Sequence, residues 1–214
     1  MDALHRLDDQ LFFAINALAA HTGWLHAPIG LYANYGVVLF AVLLALALLH
    51  ARTASSRTLA AAGWAGLGTL IAVGLNQPLG QLVHEARPYT TYPHVFLLAH
   101  RSSDFSFPSD HAVMAGAVAT GLLIAWRRLG VLAVPAALLM AFARVYIAAH
   151  YPWDVLAGLL VGAAVVALGW LLLRTPLTAV TDALRRTRPL SGLFAPADDA
   201  ASPHPDPGAG VEAA

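Results

Sequence analysis

Five apolar segments are the feature of this sequence that most constrains its fold. A helix needs roughly 20 mostly apolar residues to cross the hydrocarbon core of a bilayer. The predicted spans are residues 28–49, 58–83, 112–126, 129–149 and 155–173. Only 11% of the 214 residues are charged and the mean hydropathy is +0.65, whereas about a quarter of the residues of an ordinary soluble domain are charged. We therefore predict an all-α membrane protein, a bundle of five long transmembrane helices.

A shorter apolar segment, residues 11–20, precedes the first span. It lacks the basic start of a secretory signal and is too short to span reliably, so we expect an interfacial helix, with a sixth span as the alternative. The predicted domains are an N-terminal segment (1–26), the transmembrane bundle (27–174) and a cytoplasmic tail (175–214). The end of the tail is rich in Pro, Ala, Gly and Asp and cannot bury a core, which predicts disorder over much of it.

The arginines predict the orientation of the bundle. All 12 basic residues are arginine. Arg52 and Arg57 lie between the first two spans, Arg127 and Arg128 lie between the third and fourth, and four more arginines follow the fifth. Short cytoplasmic loops are enriched in arginine and lysine, so these three regions should face the cytoplasm. The connections at residues 84–110 and around residues 150–154 then face outward.

Three polar clusters lie at the predicted outward ends of the spans. They are the stretches HEARPY, FPSDH and ARVYIAAHYPWD, which contain Arg87, then Ser109, Asp110 and His111, and then Arg144, His150 and Asp154. Ionisable groups at the edge of a span are costly to bury and usually mark a site. Their convergence on one side therefore predicts one outward-facing pocket.

Guanidinium groups and a helix start are both suited to phosphate. Arginines bind phosphate oxygens through paired, charge-assisted hydrogen bonds. Ser109 stands where the third span begins, so it can cap that helix, and the free backbone N–H groups there bind anions. We assign phosphate binding to Arg87, Ser109, Asp110 and Arg144.

The two histidines can divide the chemistry of phosphoryl transfer. An imidazole can attack phosphorus to form a phosphohistidine, and a carboxylate on its other ring nitrogen fixes the tautomer. The spacing of His150 and Asp154 suits these two roles, because Pro152 starts a helix and Asp154 falls in its first turn. His111 is then the general acid that protonates the leaving oxygen.

These motifs resemble the membrane-bound type 2 phosphatidic acid phosphatase (PAP2) family. The family's third motif is matched by Arg144, His150 and Asp154, with Ala143 in place of its serine. Its Pro-Ser-Gly-His motif is matched with Asp110 in place of the glycine, a form that resembles the undecaprenyl-diphosphatase branch. The resemblance implies a helical bundle, a phosphohistidine at His150 and His111 as the acid, without a metal or cofactor.

This chain matches only part of the first family motif. Arg87 and Pro88 match its Arg-Pro, but Gly80 stands where the family has lysine. Gln81, His84 and Arg101 are the candidates to replace the missing phosphate anchor. The departure leaves open a changed substrate, reduced activity or a noncatalytic descendant.

The leading hypothesis is hydrolysis of a polyprenyl (undecaprenyl-type) diphosphate at the outer face of a bacterial plasma membrane. The expected partners are this lipid phosphate and membrane lipid, with no nucleic acid. The alternatives are a phosphatidic acid or phosphatidylglycerol phosphate phosphatase, a phosphotransferase acting through His150, and a noncatalytic lipid-binding or transport protein. A metal site at His111, His150 and Asp154 is disfavoured because two arginines beside it repel a cation.

Overall fold

The protein's structure, a computed structural model, describes residues 2–187. Seven helices and no strands form this part of the chain. The helices are α1 (Asp2–His21), α2 (Gly23–Ala51), α3 (Ser56–Val83), α4 (Pro88–Thr91), α5 (Asp110–Ala125), α6 (Arg127–Tyr146) and α7 (Pro152–Arg186). The predicted all-α fold is confirmed.

Four helical segments in the described residues are long and apolar enough to cross a membrane: Gly23–Ala51, Ser56–Thr91, Arg127–Tyr146 and Pro152–Arg186. The third predicted span corresponds to α5, which has only 16 residues. At 1.5 Å per residue it is about 24 Å long, less than the roughly 30 Å of the hydrocarbon core. The bundle thus has four long helices and one shorter helix instead of five long ones.

The chain ends differ from the predicted boundaries. The N-terminal helix α1 covers 20 residues, twice the predicted segment, and it is not one of the four candidate spans. At the other end, α7 continues to Arg186, so the first twelve residues of the predicted tail are helical. The remainder of that predicted tail, from residue 188, lies outside the described residues.

Helix α5 lies at the centre of the bundle, against α2, α3, α6 and α7. Glycines allow its close approach to α7. A Cβ atom on Gly116 would collide with the backbone of Leu159, and one on Gly162 would collide with the carbonyl of Val113. Small residues let membrane helices approach until their backbones touch. The starts of α5 and α7 consequently lie together, and Ser109 N–H donates to the Asp154 carbonyl at 3.1 Å.

The basic connections share the end of the bundle opposite the polar clusters. Arg57 and Arg174 line one cavity there. Arg185 of α7 donates to the carbonyl oxygens of Ala51 and Arg52 at the end of α2. At the same end, the His50 ring stacks on Trp126, next to Arg127 and Arg128, with the ring centroids 4.0 Å apart. The three arginine-containing connections therefore share one end of the bundle, as predicted.

Candidate active site

Five of the seven predicted site residues line one cavity of about 180 Å³ at the other end of the bundle, and Ser109 and Asp154 are not in its lining. The five are Arg87, Asp110, His111, Arg144 and His150. The lining also includes five residues that were not predicted, namely His100, Ser102, Asp104, Phe105 and Pro108. The two histidines therefore face the same space, although they come from α5 and from the connection between α6 and α7.

The hydrogen bonds of His150 define its tautomer. Nδ1 lies 2.8 Å from the carbonyl oxygen of Ser106. A carbonyl oxygen only accepts, so Nδ1 carries the proton and Nε2 keeps its lone pair. Nε2 lies 3.2 Å from Nη1 of Arg87 and 3.4 Å from Nη2 of Arg144. The nucleophilic nitrogen thus faces both predicted phosphate-binding guanidinium groups.

Burial and charge keep this imidazole neutral. His150 is only 2% exposed. Burial and the nearby charges of Arg144 and Arg87 hold the pKa of His150 well below its ordinary value. The ring is therefore neutral at neutral pH, with a proton on Nδ1 and none on Nε2, which is the form required of a nucleophile.

Each arginine is held by other groups in the structure. Arg87 donates from Nε to Asp104 at 3.0 Å, and its Nη2 lies 2.9 Å from the same carboxylate oxygen. Its Nη1 also donates to the carbonyl of Ala149 at 2.9 Å. Arg144 donates from Nη1 to the carbonyl of Ala33 at 3.3 Å, while its buried Nε has no hydrogen-bond partner. Arg144 thus keeps one buried donor without an acceptor in the described chain.

Asp154 takes part in the site less directly than predicted. Its Oδ2 lies 3.5 Å from Nδ1 of His150, longer than an ordinary hydrogen bond. The same oxygen accepts from the Ser106 hydroxyl at 2.5 Å and from the Tyr151 N–H at 2.8 Å. The carboxylate therefore caps the first turn of α7 and places a buried negative charge beside the imidazole.

The start of α5 has no side-chain cap. Ser109 is the N-cap residue, but its side chain makes no capping bond, and its buried Oγ has no hydrogen-bond partner. The predicted side-chain cap is thus wrong, and Ser109 is fully buried beside the cavity without lining it. The first N–H groups of a helix have no acceptor within it, which suits an anion.

The carboxylate of Asp110 is hydrogen-bonded to α3 and is not suited to bind phosphate. It accepts from Asn76 Nδ2 at 2.6 Å and from Gln77 Nε2 at 3.1 Å, both on α3. A carboxylate repels phosphate, so the Asp110 backbone N–H at the helix start is the group suited to the predicted role. Its side chain ties α5 to α3.

A side cavity of about 230 Å³ lies where the family lysine is missing. Gly80 lines it, and a Cβ on Gly80 would lie 3.1 Å from the Phe107 carbonyl. Of the three candidate replacements for lysine, Gln81 lines this side cavity. The His84 ring packs on Phe105, and Arg101 donates to the Tyr89 carbonyl at 3.4 Å. None of the three lines the cavity of His150.

Sequence reasoning missed Ser106, Asp104 and Asn76. Ser106 directly precedes the FPSDH motif, and this position was the one indication in the sequence that it lies near the site. Asp104 is an acidic residue in a polar loop, and only the folded chain shows that it pairs with Arg87. Asn76 lies inside an apolar span, where a buried amide is unusual enough to mark a contact.

Comparisons with known proteins identify the family of this chain. The family model of the PAP2 superfamily matches residues 61–177. Undecaprenyl-diphosphatase BcrC of Bacillus subtilis is 31% identical over 165 residues, which cover 77% of this chain and 82% of BcrC. Putative undecaprenyl-diphosphatase YbjG of Escherichia coli is 30% identical over 162 residues, covering 74% of this chain and 79% of YbjG.

A solved structure has a similar fold. The crystal structure of a transmembrane PAP2-type phosphatidylglycerolphosphate phosphatase from Bacillus subtilis aligns with a TM-score of 0.52 at 22% identity, covering 88% of this chain and 90% of that one. The fold and the site define a multi-pass membrane phosphatase. The chain belongs to the PAP2 superfamily.

Proposed function

We propose that this phosphatase hydrolyses a polyprenyl diphosphate to the monophosphate through a phosphohistidine at His150. The observation that carries the proposal is the neutral Nε2 of His150, which faces Arg87 and Arg144 at 3.2 and 3.4 Å inside one cavity. The guanidinium groups attract the terminal phosphoryl group and stabilise its charge in the transition state.

The first step transfers the phosphoryl group to His150. The Nε2 lone pair forms the N–P bond while the bond from phosphorus to the leaving oxygen breaks. His111 lines the same cavity, where the charge of the bound phosphate favours its protonated form, and it gives its proton to that oxygen. The imidazole gains positive charge, and Asp154 at 3.5 Å stabilises it while the Ser106 carbonyl keeps the Nδ1 proton.

The second step releases phosphate. Water attacks the phosphohistidine as the N–P bond breaks, and His111, now neutral, takes the proton of the water. His150 returns to its neutral form with Nδ1 still protonated, and His111 is again an acid. Arg87, Arg144 and the N–H groups at the start of α5 hold the charged oxygens through both steps.

The choice of a polyprenyl diphosphate rests on the relatives. Two relatives with coverage of more than two thirds are named undecaprenyl-diphosphatase or putative undecaprenyl-diphosphatase. The Asp110 form of the second motif points in the same direction. The arginine distribution supports an outward-facing site, and the proposal puts it at the outer face of a bacterial plasma membrane, where a lipid carrier of cell-wall sugars is recycled.

One observation favours a second candidate, a phosphatase of phosphatidic acid, which has a single phosphate; phosphatidylglycerol phosphate, the other alternative, carries a phosphodiester besides its terminal phosphate. The side cavity at Gly80 has Asp104 and Asp110 in its lining and no basic residue. A second phosphate placed there would meet two carboxylates and no guanidinium group. A substrate with one phosphate avoids that repulsion.

The experiment is phosphate release by purified protein in detergent, with a chelator present. The panel contains undecaprenyl diphosphate, undecaprenyl phosphate, phosphatidic acid and phosphatidylglycerol phosphate, and His150→Ala serves as the blank. We expect the highest kcat/KM with the diphosphate. Preference for a monophosphate would establish the second candidate. Loss of activity with chelator and recovery with zinc would contradict the arginine-based mechanism.

A further inference from the structure

We propose that Ser106 is a positioning residue of the phosphoryl-transfer reaction, joining the nucleophile His150 to the carboxylate of Asp154. The inference rests on the proposed function of His150 as nucleophile. Ser106 is fully buried in the loop before α5. Its carbonyl oxygen accepts from His150 Nδ1 at 2.8 Å, and its hydroxyl donates to Asp154 Oδ2 at 2.5 Å.

The third polar group of Ser106, its backbone N–H, is hydrogen-bonded as well. Its backbone N–H donates to the carbonyl of Glu85 at 2.8 Å, in the loop that leads from α3 to Arg87. The three polar groups of Ser106 are therefore bonded to three separate parts of the chain. A residue held in this way cannot shift without moving His150, Asp154 or the Arg87 loop.

The two bonds to the site do different work. The carbonyl fixes the tautomer, because it holds the proton on Nδ1 and leaves the Nε2 lone pair for phosphorus. The hydroxyl donates to a buried carboxylate that also faces the carboxyl group of Glu85. A buried charge needs such donors to remain ionised. The hydroxyl therefore keeps the negative charge that stabilises the imidazolium formed at His150.

Substitution separates these two contributions. Ser106→Ala keeps the backbone carbonyl and removes the hydroxyl, so the tautomer of His150 is retained and Asp154 loses one donor. A hydrogen bond to a charged group affects an equilibrium or rate by about tenfold or more. We therefore expect phosphohistidine formation to slow by about tenfold. Substrate binding should not change, because Ser106 has no place in the lining of the His150 cavity.

The experiment is rapid-quench measurement of phosphohistidine formation in the full-length protein in detergent, using radiolabelled p-nitrophenyl phosphate. The rate per active site and the amplitude of the burst are read separately. Ser103→Ala, at an exposed serine of the same loop, is the matched control. We expect Ser106→Ala to lower the rate, with the amplitude and the substrate dissociation constant near the wild-type values. The control should match the wild type in all three.

A merely structural role gives a different result. Misfolding lowers the burst amplitude and leaves the rate of the remaining active molecules unchanged, and that outcome overturns the proposal. An unchanged rate and amplitude overturn it too. If Ser106→Ala does not yield folded protein, Ser106→Cys, which retains a weak donor, replaces it, and it must show a smaller loss of rate in the same direction.

A double-mutant cycle tests the route through Asp154. Because the hydroxyl acts on that carboxylate, Ser106→Ala should have little further effect in an Asp154→Asn background. Fully additive losses overturn the proposed route. A wild-type protein that forms no phosphohistidine contradicts the proposed function itself, whereas a wild-type burst with an unaffected Ser106→Ala variant contradicts only the role of Ser106.

Discussion

The imidazole of His150 is bonded through Nδ1 to the backbone carbonyl of Ser106 at 2.8 Å, a closer contact than its 3.5 Å distance from Asp154. In a hydrolase triad the carboxylate sets the histidine tautomer, and its amidation costs about 10⁴-fold in rate because the wrong tautomer forms. Here a backbone carbonyl sets the tautomer. The carboxylate contributes charge and caps α7.

This division predicts a moderate loss for Asp154→Asn. The Ser106 carbonyl still holds the proton on Nδ1, so only the stabilising charge is lost, and we expect kcat to fall by about 10- to 100-fold. The measurement is kcat on p-nitrophenyl phosphate, with thermal unfolding as the check on the α7 cap. A loss of about 10⁴-fold in a stably folded variant would show that the carboxylate sets the tautomer after all.

The two histidines should respond differently to the leaving group. His150→Ala should abolish turnover of every substrate, because no covalent step remains. His111→Ala should lose about 10²–10⁴-fold on a lipid monophosphate, whose alkoxide needs a proton, and noticeably less on p-nitrophenyl phosphate, whose phenolate does not. The comparison is kcat/KM for both substrates. Equal losses for His111→Ala would deny it the acid role.

The covalent intermediate gives a companion measurement. Brief exposure to labelled substrate followed by a denaturing alkaline quench should leave label on His150, because phosphohistidine survives base better than acid. The label should be absent from His150→Ala. Label that persists in that variant would assign the nucleophile to another residue.

The class of the protein and part of the cavity lining could be predicted from the sequence. The long apolar runs predict α2, α3, α6 and α7, because a segment that crosses lipid must satisfy its backbone hydrogen bonds internally and therefore forms a helix. The start of α5 was predicted within two residues. Arg87, His111, Arg144 and His150 line one cavity as expected, since functional polar groups at the ends of neighbouring spans share one depth.

The contacts behind the cavity could not be predicted, because they depend on the paths of loops. The fourth span was predicted to reach residue 149, but α6 ends at Tyr146. A tight turn follows, in which Ala148 has a φ of 62°, and this turn aims His150 at Ser106. No periodicity encodes a left-handed alanine or the pairing of residues 44 positions apart.

The lowered pKa of His150 predicts the pH dependence of phosphoryl transfer. Burial, Arg144 and Arg87 all disfavour the protonated ring, so the neutral nucleophile persists as the pH falls below 6.5. In the pH–rate profile, the loss of rate at low pH that is caused by protonation of His150 (the acid limb) should therefore lie well below pH 6.5. Arg144→Ala removes one cause and should move the limb upward, towards 6.5, besides lowering the rate.

The measurement for this prediction is the rate of phosphohistidine formation between pH 4 and 8. The substrate ionises in the same range, so the informative quantity is the difference between two proteins. Arg128→Ala, at the opposite end of the bundle, is the matched control and should reproduce the wild-type limb. An acid limb that does not move in Arg144→Ala would show that this guanidinium does not govern the protonation of His150.

Asp8 of α1 should make stability depend on pH. Its Oδ1 accepts from the Trp153 N–H in the first turn of α7 at 2.9 Å, and its side chain is buried. Burial raises the pKa of Asp8 to about 6, against the opposing effect of the Trp153 bond and with added repulsion from Asp154 and Glu85. Between pH 3.8 and about 6 the folded state therefore holds a proton that the unfolded state has lost.

The sign of this effect follows from linkage. Since the folded state binds the extra proton, the contribution of Asp8 to stability is present below about pH 4 and is lost as the pH rises to about 6. Asp8→Asn keeps the acceptor for Trp153 and removes the titration. Its stability relative to the wild type should therefore increase across this window, measured by thermal unfolding in detergent at successive pH values. A constant difference between Asp8→Asn and wild type would mean that Asp8 titrates alike in the folded and unfolded states.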